Sequence, residues 1–161
     1  MSDASQDGEN ALPFVRLFTD GGCSGNPGPG GWGFVLKHPA SGKSLEGSGA
    51  ESETTNNRME LIAVIQGLES LKAPSRVELV SDSKYVGNGL RDWMPKWKAN
   101  DWKRRQGSRW AAVKNDDLWK QLDALLAPHQ FEYTWVAGHS GHPENERCDE
   151  LAVAAYQRYL R

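Results

Sequence analysis

The stretch Thr54-Thr55-Asn56-Asn57-Arg58-Met59-Glu60 opens the first long helical pattern of this chain and places a carboxylate inside it. From 59 to 71 most residues are apolar, and helical spacing puts Glu60 on the packing face. A carboxylate on a packing face costs free energy unless a cation meets it. One interpretation is a capping box of Asn57 and Glu60, which would satisfy backbone donors at the helix start. The other is a functional acid, and this stretch alone leaves both open.

The composition is that of an ordinary globular protein, with 161 residues, 38% hydrophobic and 25% charged, and a net charge of −2. This length fits a single domain. The first residues are polar and acidic, which excludes a secretory signal, and no apolar run is long enough to span a membrane. We expect a disordered leader at 1–12, one domain at 13–161, and a monomer in the cytoplasm. Cys23 and Cys148 lack metal-ligand spacing, and we expect both to be thiols.

Positive charge is concentrated at 91–114, a window with eight basic and two acidic residues. The rest of the chain holds 11 basic and 19 acidic residues, so the window stands out from an acidic background. It also contains four of the seven tryptophans, Trp93, Trp97, Trp102 and Trp110. Cations interleaved with aromatic side chains are typical of a nucleic-acid contact surface. The alternative is a solvated pair of helices whose tryptophans anchor it to the core.

Strand and helix patterns alternate along the chain. Strands are predicted at 14–20, 32–37, 43–48, 76–82 and 131–136, and helices from the opening stretch to 72 and at 83–90, 116–126 and 143–159. A Gly- and Pro-rich connection is predicted at 21–31. It contains Gly28-x-Gly30-x-x-Gly33, but a strand rather than a helix follows, which excludes a dinucleotide-binding motif. Three strands followed by alternating helices and strands predict an α/β fold with a mixed sheet and helices on both faces.

Four acids form a candidate site. Asp20 and Asp82 end two predicted strands, and if these strands are parallel neighbours, both carboxylates lie at the same sheet edge. Turn formation by Asp20 and helix capping by Asp82 are the structural alternatives. Asp149 is predicted on the packing face of the last helix, where an unpaired carboxylate is rare. With Glu60, these acids suit Mg²⁺ or Mn²⁺, and paired ions of this kind serve displacement at phosphate. The combination indicates phosphodiester hydrolysis.

His139 lies between glycines in a loop shortly before Asp149. A lone histidine is more often structural or solvated, but a loop position near clustered acids also suits proton transfer to or from attacking water. A zinc site made of His139 and His142 lacks further soft ligands, and we discount it.

Five motifs, in order along the chain, resemble bacterial type 1 ribonuclease H. They are 19–21 (Thr-Asp-Gly), 26–30 (Asn-Pro-Gly-Pro-Gly), 55–60 (Thr-Asn-Asn-Arg-Met-Glu), 81–83 (Ser-Asp-Ser) and 138–149 (Gly-His-Ser-Gly-His-Pro-Glu-Asn-Glu-Arg-Cys-Asp). The resemblance implies a ribonuclease H-like fold whose five-stranded mixed sheet has the order 3-2-1-4-5. It also implies an endonuclease that hydrolyses the RNA strand of RNA–DNA hybrids and leaves 5′-phosphate and 3′-hydroxyl ends.

The same resemblance gives each candidate residue a role. Two Mg²⁺ ions, for which Mn²⁺ can substitute, would be held by Asp20, Glu60, Asp82 and Asp149, and His139 would assist proton movement or product departure. The residues that match minor-groove contacts to the hybrid are Cys23, Asn26, Asn56 and Asn57. Thr55 and Asn115 match a pocket for a DNA-strand phosphate. The residues that match a basic protrusion beside the DNA backbone are Trp93, Trp97, Lys98 and Trp102.

The chain departs from the family pattern at three places. Ala99-Asn100-Asp101 stands where relatives commonly carry a run of Lys and Arg, and the basic residues come later, at 103–105 and 109. Glu53 stands where an Arg often supports the phosphate pocket, while Lys84 replaces a neutral amide and is expected to add a phosphate contact. We expect strongly salt-sensitive binding. Two alternatives are a nuclease of this architecture with another nucleic-acid substrate and a non-catalytic hybrid-binding module.

Overall fold

The computed structural model describes residues 12–138 and 142–160, which form seven strands and five α-helices. The strands are β1 (Phe14–Cys23), β2 (Gly28–His38), β3 (Lys43–Thr54), β4 (Arg76–Ser81), β5 (Lys103–Gln106), β6 (Arg109–Ala112) and β7 (Gln130–Trp135). The helices are α1 (Asn56–Glu69), α2 (Lys84–Asn88), α3 (Met94–Ala99), α4 (Asp116–Leu126) and α5 (Pro143–Tyr156). A π-helical turn (Gly89–Trp93) joins α2 to α3, and a 3₁₀ turn (Gln157–Leu160) follows α5.

Five of the strands form one mixed sheet in the order β3-β2-β1-β4-β7. The first three are antiparallel neighbours, whereas β1, β4 and β7 run parallel. Phe18 of β1 lies opposite Val80 of β4, so Asp20 and Asp82 each follow that pair by two positions. The predicted sheet order is confirmed, with β7 as the fifth strand of the sheet.

Helices cover both faces of this sheet. One face buries its apolar side chains beneath α1 and α4, in a core that includes Leu17, Leu61 and Trp119. The other face carries Phe18, Val35 and Val80 beneath α5. Among the described residues, none of the helices has the length and apolar character to cross a membrane.

The predicted connection at 21–31 is largely strand in the structure, and this prediction was wrong. β1 continues to Cys23, and the ladder with β2 extends to the pair Cys23–Gly30. Glycines in β2 permit a close approach, because a Cβ at Gly31 or Gly33 would collide with the α5 backbone at Ala152 or Cys148. The run of glycines therefore marks a place where a helix lies directly on a strand rather than a loop.

The basic window contains a two-stranded ribbon that the sequence analysis did not predict. β5 and β6 pair antiparallel from Lys103–Ala112 to Gln106–Arg109, with Gly107 at a φ of +63° in the turn. The strands are four residues each, three of the four residues of β5 are charged, and neither strand has the apolar alternation that usually signals a strand. We refer to 103–112 as the basic ribbon.

Candidate active site

Asp20 and Glu60 are brought together by a close approach between β1 and α1. Asp20 is inside β1, opposite Gly33, and not in a turn as one alternative proposed. A Cβ on Gly21 would collide with the backbone of Met59, so only glycine allows α1 to approach this closely. The Gly21 N–H donates to the carboxylates of both acids. One backbone amide thus ties together a strand acid and a helix acid.

The capping-box interpretation of Glu60 is wrong. The N-cap of α1 is Thr55, whose Oγ1 accepts a hydrogen bond from the Arg58 N–H at 3.3 Å, and Asn57 lies inside the helix. Glu60 instead accepts hydrogen bonds from Gly21 and from the Ser83 side chain. Its carboxylate therefore belongs to the site and not to the helix terminus.

Asp82 is likewise not a helix cap. The cap of α2 is Ser83, whose Oγ accepts a hydrogen bond from the Val86 N–H at 3.1 Å. Ser83 also donates its own N–H to the Ser81 hydroxyl at 2.9 Å. These bonds fix the turn at the end of β4 without the Asp82 carboxylate, which stays exposed at the sheet edge.

Asp149 is exposed, so its predicted place on the packing face of the last helix is wrong. The packed residue is its neighbour Cys148, which is fully buried and whose thiol donates to the Phe18 carbonyl at 3.2 Å. This contact fixes α5 against β1, two residues from Asp20. Asp149 can then share a hydrogen bond with the Asp20 carboxyl.

The acids converge as a compact group. Asp20, Glu60 and Asp82 each offer one carboxylate oxygen, and these oxygens lie within 4.8 Å of one another. Burial, and next the charges of Asp82 and Asp149, raise the pKa of Asp20 to about 7. Burial, followed by the charges of Asp20 and Asp82, also raises the pKa of Glu60 well above its usual range. Such mutual repulsion favours a protonated group or a bound cation.

A cavity of about 310 Å³ opens beside the acids. Its lining includes Asp20, Asp82 and Asp149 together with Gly138 and His142. His142 is the N-cap residue of α5 and makes no side-chain capping bond. The predicted residue His139 lies outside the described residues.

The residues predicted to contact the minor groove form a hydrogen-bonded network beside the acids. The Cys23 N–H donates to Asn56 Oδ1 at 2.8 Å, and the Asn56 N–H donates to Asn26 Oδ1 at 3.1 Å. Because both amide oxygens are occupied, Asn26 and Asn56 have their NH₂ groups available as donors. Asn57 is exposed in the first turn of α1. We call Cys23, Asn26 and Asn56 the asparagine network.

The predicted phosphate pocket contains a cation that the sequence analysis missed. Thr55 and Asn115 are linked through Arg58, whose N–H donates to Thr55 Oγ1 and whose Nη1 donates to Asn115 Oδ1 at 3.2 Å. Asp117 holds the same guanidinium through two bonds of 3.1 and 2.9 Å. The signal in the sequence was Arg58 itself, one position after the asparagine pair. It places a positive charge beside the pocket although Glu53 is acidic.

In the basic window, the structure confirms that tryptophans anchor the segment to the core, while the nucleic-acid contact surface stays a prediction. The rings of Trp93 and Trp97 contact each other in a tilted arrangement, with centroids 5.8 Å apart, and Trp97 packs on buried Trp119 at 5.3 Å. Trp97 and half-buried Trp102 pack against the core and anchor the window to it. Trp110 is different, because 51% of it is exposed and the Arg105 guanidinium lies 5.5 Å from its ring centroid.

The surface cations around these anchors are divided between a helix and the basic ribbon. Lys98, on α3, is exposed and pairs with Asp123 at 3.1 Å. The predicted displacement of the basic residues beyond Ala99-Asn100-Asp101 places them on the ribbon, where all four cations, Lys103, Arg104, Arg105 and Arg109, are exposed. Lys84 is also exposed, and it begins α2.

Comparison with known proteins supplies the family context. The model of the RNase H family matches residues 13–157 of the chain. Ribonuclease H of Rhodopirellula baltica is 57% identical over 152 residues, which cover 94% of this chain and 96% of that protein. Ribonuclease HI of Neisseria meningitidis serogroup B is 54% identical over 138 residues, covering 86% of this chain and 92% of that protein.

Among solved structures, LC9-RNase H1 has a similar fold and sequence. It is described as a type 1 RNase H with the type 2 active-site motif and is 33% identical to this chain. The TM-score is 0.78, and the match covers 90% of this chain and 72% of that one.

Proposed function

Because the chain belongs to the ribonuclease H family, we propose that it is an endonuclease that hydrolyses the RNA strand of RNA–DNA hybrids. The products would be 5′-phosphate and 3′-hydroxyl ends. The observation that carries this proposal is the convergence of Asp20, Glu60 and Asp82 within 4.8 Å, next to the asparagine network. The first feature suits chemistry at phosphate, and the second suits recognition of ribose.

The acid group fits a divalent metal. All its donors are carboxylate oxygens, the ligands that Mg²⁺ and Mn²⁺ prefer. The raised pKa of Asp20 reflects burial and repulsion that a cation would relieve. We propose two Mg²⁺ ions, replaceable by Mn²⁺, held by Asp20, Glu60, Asp82 and Asp149. Bound there, they would activate water for attack and neutralise charge that develops on the phosphate.

The protein's own groups would then position the substrate and move protons. The Gly21 N–H keeps the Asp20 and Glu60 carboxylates oriented toward each other. Asp149, which is exposed, can adjust as the substrate enters. His139 would carry a proton to or from the reacting oxygens or assist product departure, in line with the ordinary titration range of histidine.

Recognition of the RNA strand would depend on the asparagine network. The NH₂ groups of Asn26 and Asn56 can donate to a ribose 2′-hydroxyl or to base acceptors in the minor groove. Because the amide oxygens are held by backbone N–H groups, the donors are preorganised. Cys23 and Asn57 flank these donors and complete the proposed contact.

The DNA strand would be held by charge. Thr55 and Asn115, with Arg58 between them, would bind one phosphate. Trp93, Trp97 and Trp102 would support the protrusion from which Lys98 and the basic ribbon contact the backbone, and Lys84 would contact a phosphate beside the acids. Phosphate contacts of this type position the substrate without reading its sequence.

The protein would act as a monomer in the cytoplasm, through a single domain at 13–161 preceded by a leader at 1–12. Both cysteines are free thiols, which is consistent with a reducing compartment. Sedimentation at equilibrium would test the oligomeric state.

The decisive experiment is cleavage of a labelled hybrid of about two helical turns in Mg²⁺, beside single-stranded RNA, duplex RNA and duplex DNA. We expect cleavage of the hybrid's RNA strand alone, and none by Asp20→Asn. Cleavage of another substrate in preference would favour a related nuclease. Metal-independent binding without cleavage in Mg²⁺ or Mn²⁺ would favour a binding module and refute the proposal.

A further inference from the structure

We propose that Trp135 is a positioning residue that holds Lys84 against the RNA strand, on the side of the cleavage site opposite the asparagine network. This inference rests on the proposed function and adds a substrate contact to it. It is carried by the exposure of Trp135, by its two contacts and by its place in the sheet.

Trp135 is more exposed than the residues of its strand that pack against the core. It is the last residue of β7, and 45% of its surface is open to solvent. Phe131 and Tyr133, at alternate positions of the same strand, pack half-buried against the core. Trp135 continues that row of side chains beyond the core, so its indole lies at the edge of the sheet.

Two contacts connect this indole with the residues around Asp82. The indole Nε1–H donates to the Asp82 carbonyl at 3.2 Å, which ties the end of β4 to the end of β7. The Lys84 ammonium lies 5.3 Å from the centroid of the indole ring. The ring therefore restricts where the lysine charge can be, and an ammonium over an aromatic face is stabilised there.

The sheet order determines which side of the site this pair occupies. β1, which carries Asp20, is followed by β4 and then β7, with Ser81 opposite Trp135. Adjacent strands are about 4.8 Å apart, so Trp135 lies about 10 Å from the end of β1. In the asparagine network, Cys23 pairs with Gly30 of β2, the neighbour of β1 on the other side, and its N–H is bonded to Asn56. If the cleaved phosphate of the RNA strand lies at the acids, the part of that RNA strand that reaches Lys84 is roughly one to three nucleotides from the cut.

A lysine held in this way supplies a fixed cation beside a strongly acidic site. Phosphates next to the cleaved linkage are repelled by any carboxylate charge that remains uncompensated. A point charge at a defined distance offsets this repulsion for one linkage, whereas a freely moving lysine would spread its effect over several. The held lysine should therefore strengthen substrate binding, and its effect should be confined to one phosphate.

The test compares Trp135→Ala, Trp135→Phe, Lys84→Gln and the Ala/Gln double variant in steady-state cleavage at several salt concentrations. Trp135→Phe keeps a ring under the lysine and removes only the N–H. Arg76→Gln is the matched control, because its guanidinium lies 4.8 Å from the Phe14 ring centroid at the opposite ends of the strands. Thermal unfolding confirms that each variant is folded.

We expect Trp135→Ala and Lys84→Gln each to raise KM about two- to fivefold, with kcat within a factor of two. In both variants the slope of log kcat/KM against log salt should become shallower by the amount that corresponds to the loss of about one phosphate contact. The KM of the double variant should be no higher than that of either single variant. Trp135→Phe and Arg76→Gln should keep the wild-type slope.

A second arm locates the contact. Neutral methylphosphonate replaces one RNA-strand phosphate at a time, on either side of a single cleavable linkage. With the neutral linkage at one position near the cut, wild type and Lys84→Gln should have the same KM. The inference is overturned if no position makes the two proteins equal, or if the effects of the two single substitutions on KM multiply in the double variant. It is also overturned if Trp135→Ala leaves KM and the salt slope unchanged. A wild type that cuts no hybrid would overturn the proposed function itself.

Discussion

Replacing Asp20 by asparagine should make the metal-free protein more stable at neutral pH, although it removes a proposed metal ligand. Burial and the neighbouring Asp82 and Asp149 raise the pKa of Asp20 from 3.8 to about 7. Because one pKa unit corresponds to about 1.4 kcal/mol, the ionised carboxylate costs the folded protein up to about 4 kcal/mol. Partial exposure to solvent lowers the expected gain in the variant to about 2 to 4 kcal/mol.

The sign of the pH dependence follows from where the proton is bound more tightly. The pKa of Asp20 is higher in the folded than in the unfolded chain, so between about pH 4 and 7 the folded state binds more protons. The free-energy cost is therefore absent below pH 4, grows as the pH rises to 7, and is complete above it. Wild type and Asp20→Asn should be equally stable at the acidic end and diverge toward neutral pH.

Urea unfolding in a chelator, followed by circular dichroism at several pH values, measures this difference. Added Mg²⁺ should stabilise wild type more than the variant, because a ligand stabilises the folded state more when it binds that state more tightly. Asp117→Asn is a control of opposite sign, since the Arg58 guanidinium lowers the pKa of Asp117 and that contribution is lost as the pH falls. Equal stability of wild type and Asp20→Asn at pH 8 would refute the reasoning.

Three further predictions concern residues outside the acid group. Arg58→Gln should raise KM about tenfold and leave kcat nearly unchanged, since it removes the cation at the proposed phosphate pocket; competition by a hybrid with a neutral DNA-strand linkage would check it. Arg105→Gln and Trp110→Ala should each weaken binding of long hybrids but not short ones, measured by anisotropy at two salt concentrations. Cys148→Ala should lower the unfolding free energy by about 1 to 2 kcal/mol in urea titrations, because it removes the thiol from a fully buried position; an unchanged midpoint would contradict its anchoring role.

The convergence of the strand acids could be predicted from the sequence because parallel strands have a simple geometric rule. Two parallel neighbouring strands with acids at matching positions bring both acids to one edge, and the register of Phe18 with Val80 places Asp20 and Asp82 in that way, although β1 continues past Asp20 to Cys23. From its own stretch Glu60 could be predicted only as one of two alternatives, and the other three acids favoured the functional one. Its role depends on Thr55 taking the capping position and on Gly21 allowing α1 to approach, and neither contact is encoded in spacing.

The basic ribbon and Arg58 could not be found in the same way. Charged residues with little apolar alternation carry a weak strand signal, and the ribbon depends on hydrogen bonds between its own backbones. Arg58 read as an ordinary helical cation, since its partners Asn115 and Asp117 are more than fifty residues away in the chain. Long-range pairing of this kind is a property of the fold and leaves no local pattern.

The charges of this protein divide into two sets with opposite consequences for a polyanionic substrate. The acid group repels phosphate. Burial, and next the charges of Asp82 and Asp149, raise the pKa of Asp20 to about 7, so the acids also repel one another. Under the proposed function, binding would therefore come from cations placed away from the acids, at Arg58 and on the basic ribbon, and Lys84 would add a cation beside them. Two divalent ions would neutralise the four carboxylates of the first set and leave the second set untouched. Hybrid affinity should thus depend on metal through the acids and on salt through the cations. Measuring both dependences would therefore distinguish a variant of the acids from a variant of the cations even where the two lose the same activity.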